Sequence, residues 1–310
     1  MLAAPSRPKG LFLPNWNEVL TELQKEAGLS PQDRVRRRFL ADLSNYTKRN
    51  TIAYYSGWLQ KPNHASAIMD DNDMNGFMTT IHQLDRVKGL DLILHTPGGN
   101  LASVESLVDY LRKMFDADVR AFIPQLAMSA GTMLACSCKE IVMGKHSFMG
   151  PVDPQFNGIS AEGVREEFEK AIEEVKKDPG TIPVWREIIS KYHPTFIGDC
   201  EKAIEWSQSI VTKWLTTGMF KGNAKAGEIA EKIVSALSSH KGTLSHNRQI
   251  PISDLQKFGL KVVSLEDDDT LQDLVLTVHH AFMHTFSTTP AIKIIENHNG
   301  KAMVIFMGTK

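Results

Sequence analysis

The chain has 310 residues, 42% of them hydrophobic and 23% charged, with a formal net charge of −1. This is the composition of an ordinary folded domain, long enough for one large domain or two small ones. A balance this close to neutral excludes a global attraction to nucleic acid or acidic lipid. No apolar run approaches the ~20 residues of a membrane span, and Met1–Lys9 lacks the apolar core of a signal peptide.

Met1–Pro14 is proline-rich and expected to be loose. Asn15–Ala27 puts Trp16, Val19, Leu20 and Leu23 on one helical face, and Gly28 ends it. Pro31–Leu43 is a second predicted helix, with Arg34, Arg36, Arg37 and Arg38. In a neutral chain that cluster reads as a solvated face or as intramolecular pairs. Thr51–Tyr55 is β-rich and opens the main domain, and Trp58–Ser66 is a loop. The run Asp70-Asp71-Asn72-Asp73 leads into a helix over Met74–Leu84. It lacks the glycine and bidentate glutamate of an EF-hand loop, so a capping and connecting role is expected.

The centre of the chain alternates. Asp91–Leu94 is a short apolar run stopped by Thr96-Pro97-Gly98-Gly99, which must turn. Leu101, Val104, Leu107, Val108, Leu111 and Phe115 follow a helical period. Val119–Ile123 and Glu140–Met143 are further strands, and a small-residue helix opens at Ser129 between them. Strand–helix–strand–helix–strand predicts right-handed crossovers over a parallel sheet, an α/β fold. Sites in such sheets form outside the carboxyl ends of strands. Gly98-Gly99 and Ser129 both sit there: the glycines can turn backbone N–H groups to a ligand, and Ser129 heads a helix. Ala127-Met-Ser-Ala-Gly131 is a near relative of the nucleophile elbow.

Beyond Gln155 a run of helices interrupts this core: Ser160–Lys177 (Ser160 able to cap it), Ile182–Tyr192, Ile197–Thr216 and Ala224–Ser238. Ser253–Phe258 and Gly259–Val263 return as helix and strand. Leu271–Phe286 is a final amphipathic helix, and Ala291–Phe306 is a hairpin turning at Asn299-Gly300. The expected division is a helical extension over residues 1–49, a main domain over 50–270 with a helical insertion at about 160–240, and a C-terminal helix and hairpin over 271–310. Cys136, Cys138 and Cys200 form no even framework and read as buried reduced thiols, in keeping with a cytoplasmic chain.

Together, His95-Thr-Pro-Gly-Gly99, Ala127-Met-Ser-Ala-Gly-Thr132 and Met149-Gly-Pro-Val-Asp-Pro-Gln155 resemble the serine dehydrogenase proteinase family. That family is a distant branch of the Clp-protease and crotonase superfamily, related to signal peptide peptidase A. The resemblance runs from about Asn50 to Glu266. It implies a Clp/crotonase-like α/β fold of repeated β-β-α and βαβ units with inserted helices, which in that superfamily cover the active face and take part in oligomer contacts. Relatives often carry an N-terminal transmembrane helix, which this chain lacks. The "dehydrogenase" of the name denotes a substrate, and no G-x-G-x-x-G fingerprint occurs.

The implied activity is that of a serine endopeptidase using no cofactor or metal, acting on peptide or protein substrates as a homo-oligomer. In Clp-type proteases the histidine follows the strand after the nucleophile helix, and the aspartate precedes the closing helix–Gly–Leu–strand unit. Here Asp153 holds the first position and His246 the second. The family order Ser, Asp, His therefore carries over onto Ser129, Asp153 and His246, with Gly98 or Gly99 and Ala130 supplying the oxyanion hole. Lys145 and Lys221 are alternative bases, by the Ser–Lys dyad of signal peptide peptidases, and His146 is the second imidazole. His95 is expected to support the loop, and His279, His280 and His284 to form a structural helix face. A crotonase-like acyl-CoA enzyme and an inactive scaffold of the same fold are the competing readings.

Overall fold

The computed structural model describes residues 16–25, 30–156, 158–238 and 247–308. Its central strands, β1 (Asn50–Ser56) and β2 (Leu90–His95), are buried along their whole length. Strands covered on both faces read as continuous apolar runs, as Asp91–Leu94 does. β3 (Val119–Ile123), β5 (Glu140–Met143) and β10 (Val262–Ser264) extend the sheet on one side, each parallel to its neighbour. On the other side β11 (Ala291–Asn297) and β12 (Ala302–Phe306) add antiparallel. The order is β10-β5-β3-β2-β1-β11-β12. The C-terminal hairpin is thus part of the main sheet, paired directly with its first strand.

Alternate residues of each strand face opposite layers. Ile52, Tyr54, Leu92, Leu94, Ala121 and Ile123 pack against α3 (Asp73–Ile81), α4 (Leu101–Phe115) and α5 (Ala130–Cys136). Ala53, Tyr55, Ile93, Phe122 and Val142 pack against α1 (Trp16–Lys25), α2 (Pro31–Thr47) and the long C-terminal helix Asp269–Thr288. The expected helical interruption is present as α6 (Ala161–Lys177), α7 (Ile182–Ile189), α8 (Phe196–Thr217) and α9 (Ala226–Ser238). Ser160 caps α6 through a bond from the Gly163 N–H. α8 and α9 close over α4 and α5 through Ile210, Val211, Trp214, Ile233 and Leu237, whereas α6 shares a separate small core with α8. α10 (Ile252–Phe258) ends at Gly259, whose φ of 108° is the left-handed cap that glycine permits, and α11 is the helix Asp269–Thr288.

A second sheet, small and three-stranded, lies at the carboxyl end of the first. β4 (Leu126–Ala127) runs parallel to β6 (Phe148–Met149), and β9 (Ile250–Pro251) runs antiparallel to β6. A two-stranded ribbon, β7 (Gln155–Phe156) with β8 (Ile159–Ser160), leads into α6.

The arginine cluster of α2 resolves into intramolecular pairs. Arg36 is buried and reaches Glu296 on β11 at 2.9 Å and Thr285 on α11 at 3.0 Å. Arg37 takes the other Glu296 oxygen, and Arg38 reaches Glu22. The acidic run before α3 does more than cap. Asp70 accepts from the Asn72 N–H, but Asp73 is buried and paired with Lys293 of β11 at 2.7 Å.

The histidines of α11 face inward. His279 meets the Tyr55 hydroxyl at 3.3 Å, and His284 meets the Trp16 carbonyl. His95 is fully buried between Trp58, Tyr55 and His279, with neither ring nitrogen hydrogen-bonded. Among the described residues no three His, Cys, Asp or Glu side chains are grouped to hold a metal. Burial pushes the His95 imidazole down to about 3 and His280 to about 4, and holds His279 well below 6.5.

These depressed values make the fold acid-sensitive. The native state refuses protons that the unfolded chain takes up near 6.5, so stability is intact above pH 6.5 and falls as pH drops towards the folded values. Between pH 7 and pH 5, the fully buried His95 is expected to remove on the order of 2 kcal/mol. Urea midpoints over that range should fall for the parent and fall less for His95→Phe; parallel slopes would contradict the assignment.

Candidate active site

The site is built where two strand ends meet. β2 stops at His95, and Thr96 continues beside β4: Thr96 N–H donates to Leu126 O, and Met128 N–H donates to Thr96 O at 3.0 Å. This brings the turns at Gly98-Gly99 and Ser129 against each other. A Cβ on Gly98 would lie 2.7 Å from Met128 O, 2.8 Å from the Ser129 Cβ and 2.9 Å from the Ala130 N. Gly98 also has φ 93°, so both its backbone and its surroundings require glycine. Gly131 is needed for a related reason, since a side chain there would run into the Thr96 methyl.

Ser129 has φ 50° and ψ −117°, a region that non-glycine residues avoid. It occupies the N-cap position of α5, yet its hydroxyl makes no capping bond. A serine that merely starts a helix would turn its oxygen to the free N–H groups. This one is partly exposed and makes no such bond. Strain of this kind costs roughly 1–3 kcal/mol and persists only where the surroundings over-determine it. Here they do. Gly131 N–H donates to Met128 O, and Met133 N–H to Ser129 O. Thr132, fully buried, donates its hydroxyl to Ala127 O or Gly150 O at 2.8 and 2.9 Å and accepts from the Gly150 N–H. Thr132 and Thr96 are thus the supports of the elbow. Their roles were not evident from the motif, because their partners lie elsewhere in the chain.

The two flanking loops offer different donors. Gly98 N–H is engaged by the Thr96 hydroxyl at 3.1 Å. The N–H groups of Gly99 and Ala130 make no such bond among the described residues.

Asp153 lies four residues beyond β6, in the Gly150–Pro154 segment, and is only 2% exposed. That segment is fastened by Gly150 N–H to Ala127 O and by Val152 N–H to Leu237 O at the end of α9. His246 lies outside the described residues. The described chain on either side of it is anchored here, at Leu237 beside Val152 and at Ile250 paired with Met149.

The other candidate bases lie within the described residues. Lys221 pairs with Asp116, which ends α4 just before β3, at the amino end of the strands. A strand as long as β3, some 16 Å, separates that end from Ser129. Lys145 is exposed and its N–H donates to Glu266. His146 is exposed. Cys136 and Cys138 are free, buried and pushed up to about 12, which rules out a thiolate nucleophile on α5.

The strain at residue 129 is measurable without any substrate. Ser129→Gly should raise unfolding stability by about 1 kcal/mol, the relief of strain less the backbone entropy of glycine. Ser129→Ala keeps the unfavourable φ and should leave stability within about 0.5 kcal/mol of the parent. Equal urea midpoints for the glycine variant and the parent would mean that any strain stored there is no larger than the backbone entropy that glycine costs.

Two relatives come from Methanocaldococcus jannaschii, and both are uncharacterized proteins. One is 31% identical over 173 residues, covering 56% of this chain and 51% of the relative. The other is 28% identical over 194 residues, covering 61% of this chain and 59% of the relative. The chain therefore spans between half and three fifths of the length of these relatives. A family model described as the ClpP-like SDH-type serine proteinases matches residues 64–277, more than half of the chain and all of the elbow, the glycine turn and the Asp153 segment. The chain belongs to this family of ClpP-like serine proteinases.

Proposed function

We propose that the protein is a serine endopeptidase in which Ser129 forms the acyl-enzyme, His246 is the general base and Asp153 orients it. The single observation that carries this reading is the strained, uncapped Ser129 at the head of α5, wedged against Gly98. A serine hydroxyl needs a base to become nucleophilic. As His246 takes its proton, Ser129 Oγ attacks the peptide carbonyl. The developing oxyanion is received by the N–H groups of Gly99 and Ala130, and removing one such donor costs on the order of 10²–10³ in rate. His246 then returns the proton to the leaving amine, and water attacks the acyl-enzyme by the same route. The burial of Asp153 suits the orienting role, because a carboxylate stabilises an imidazolium more strongly when water is excluded.

The decisive experiment labels Ser129 with a fluorophosphonate probe across pH. Labelling should rise through an apparent pKa near the ordinary imidazole value of about 6.5, moved upward by Asp153. Ser129→Ala should abolish labelling and lower kcat/KM for peptides by at least about 10³-fold. His246→Ala and Asp153→Asn should each depress acylation, with effects far from additive. If His246→Ala labels at the parent rate while Lys145→Ala or Lys221→Ala does not, a Ser–Lys dyad replaces the triad. A parent that hydrolyses acyl-CoA thioesters with Ser129 unlabelled would favour the crotonase-like reading; one that does neither would be a scaffold.

We also read the protein as a cytoplasmic homo-oligomer. Its three cysteines are free, as in a reducing compartment. Ile172 on α6, Ile182 and Val184 on α7 and Trp206 on α8 are exposed to between 41% and 61%, apolar side chains on the inserted helices that a second copy would cover. Sedimentation at micromolar concentration should show a species larger than 34.6 kDa; a stable monomer would contradict this.

A further inference from the structure

Gly99 depends on a neighbour that no motif marks. Gly98 O accepts from the Met69 N–H at 2.8 Å, and Asn100 N–H donates to Met69 O at 2.9 Å. A carbonyl and the following N–H share one rigid plane and point in opposite directions. The bond from Met69 to Gly98 O therefore fixes the heading of the Gly99 N–H, directing it away from Met69. Any side chain on Gly99 would collide with the Met69 backbone, so the fit is backbone against backbone.

Met69 is held in turn by a buried cation. Lys293, fully buried on β11, donates to Ile68 O at 2.7 Å, to Asp73 Oδ1 at 2.7 Å and to Asp70 Oδ2 at 3.3 Å. These contacts grip the residues on both sides of Met69. Asp73 Oδ2 accepts from the Asp70 N–H at 3.1 Å and from the Tyr54 hydroxyl at 2.8 Å, which closes the network. A lysine in a strand buried on both faces is costly unless every proton is used. Here it is used on the one segment that orients the glycine turn. Lys293 lies beyond residues 64–277, the part of the chain that carries the family match.

We propose that Lys293 is a positioning residue for the oxyanion hole, acting through Ile68, Asp70 and Met69 on the Gly98–Gly99 peptide plane; this rests on the peptidase reading above. Lys293→Met alone would leave Asp73 buried without its cation, so the test uses Lys293→Met with Asp73→Asn. Two rates are followed in protein shown to be folded by near-ultraviolet circular dichroism. The first is amide exchange at Asn100, whose N–H is bonded to Met69 O. The second is fluorophosphonate labelling of Ser129 together with peptide kcat and KM. Exchange at Asn100 should quicken, and labelling and kcat should fall by about 10²-fold, as for a displaced donor. KM and the pH midpoint of labelling should stay put, because the base is untouched. A merely structural role would instead move KM and the midpoint or leave labelling at the parent rate, and either result overturns the proposal. If the double variant does not fold, Asp70→Asn carries the test, since Asp70 is the half-exposed end of the clamp. The same changes are expected there at about threefold, the scale of one weakened hydrogen bond, and unchanged rates overturn the proposal. A parent that is never labelled overturns the peptidase reading and the catalytic role of Lys293 with it, while the exchange rates still decide whether Lys293 holds the turn.

Discussion

The architecture depends on the approach of two backbones, that of Gly98 and that of Ser129, to within a distance that leaves no room for a Cβ. Side chains elsewhere can adjust to one another by changing rotamer; two main chains in contact cannot. The approach is possible because β2 and β3 are adjacent and parallel, so both turns leave the sheet at the same end. Thr96 and β4 then pull the second turn over the first. Once this contact is made, Ser129 must take a conformation that its own type disfavours, and α5 begins with its hydroxyl free of the capping role.

The small sheet β4-β6-β9 extends that organisation. β4 delivers Ser129, β6 delivers the Asp153 segment, and β9 resumes the chain after residue 246. Thr132 binds the first two together by bonding to Ala127 O and to both polar groups of the Gly150 backbone. The turn that carries Ser129 and the Asp153 segment are thus joined by main-chain and hydroxyl bonds rather than by ion pairs.

Buried charge is placed elsewhere. Asp91, near the start of β2, is buried and shared by Arg49 and Arg120 at 2.8 and 2.7 Å. Asp118 beside them is held at about 2, chiefly by its hydrogen bonds to Arg49 with help from Lys139. Glu296 takes Arg36 and Arg37, and Asp73 takes Lys293. Such pairs contribute little net stability, because desolvation offsets attraction, but an orphaned partner would be costly. Their effect is to fix register: β11 can join β1 only where Glu296 meets α2 and Lys293 meets the loop before α3. In that way the C-terminal hairpin, though remote in sequence, is bound to the shape of the glycine turn.

What the sequence by itself determined were the features whose causes are local. Apolar alternation and helical period located the sheet and its crossovers, and Pro97-Gly98-Gly99 and Ala127-Met-Ser-Ala-Gly131 located the two turns, since glycine and small residues are required by the backbone where they stand. The inserted helices and the closing hairpin were legible for the same reason. The partners of polar groups were not legible. Arg36 reads as one charge among four, Asp73 as one carboxylate in an acidic run, Thr132 as a motif residue without a task, and Lys293 as a lysine in a strand. Only the tertiary structure decided that these four are buried, and what each one holds, because the groups that satisfy them come from elements up to 260 residues away. It also set the two glycines apart: Thr96 Oγ1 takes the Gly98 N–H and not that of Gly99, a distinction made by one hydroxyl that no spacing in the sequence records.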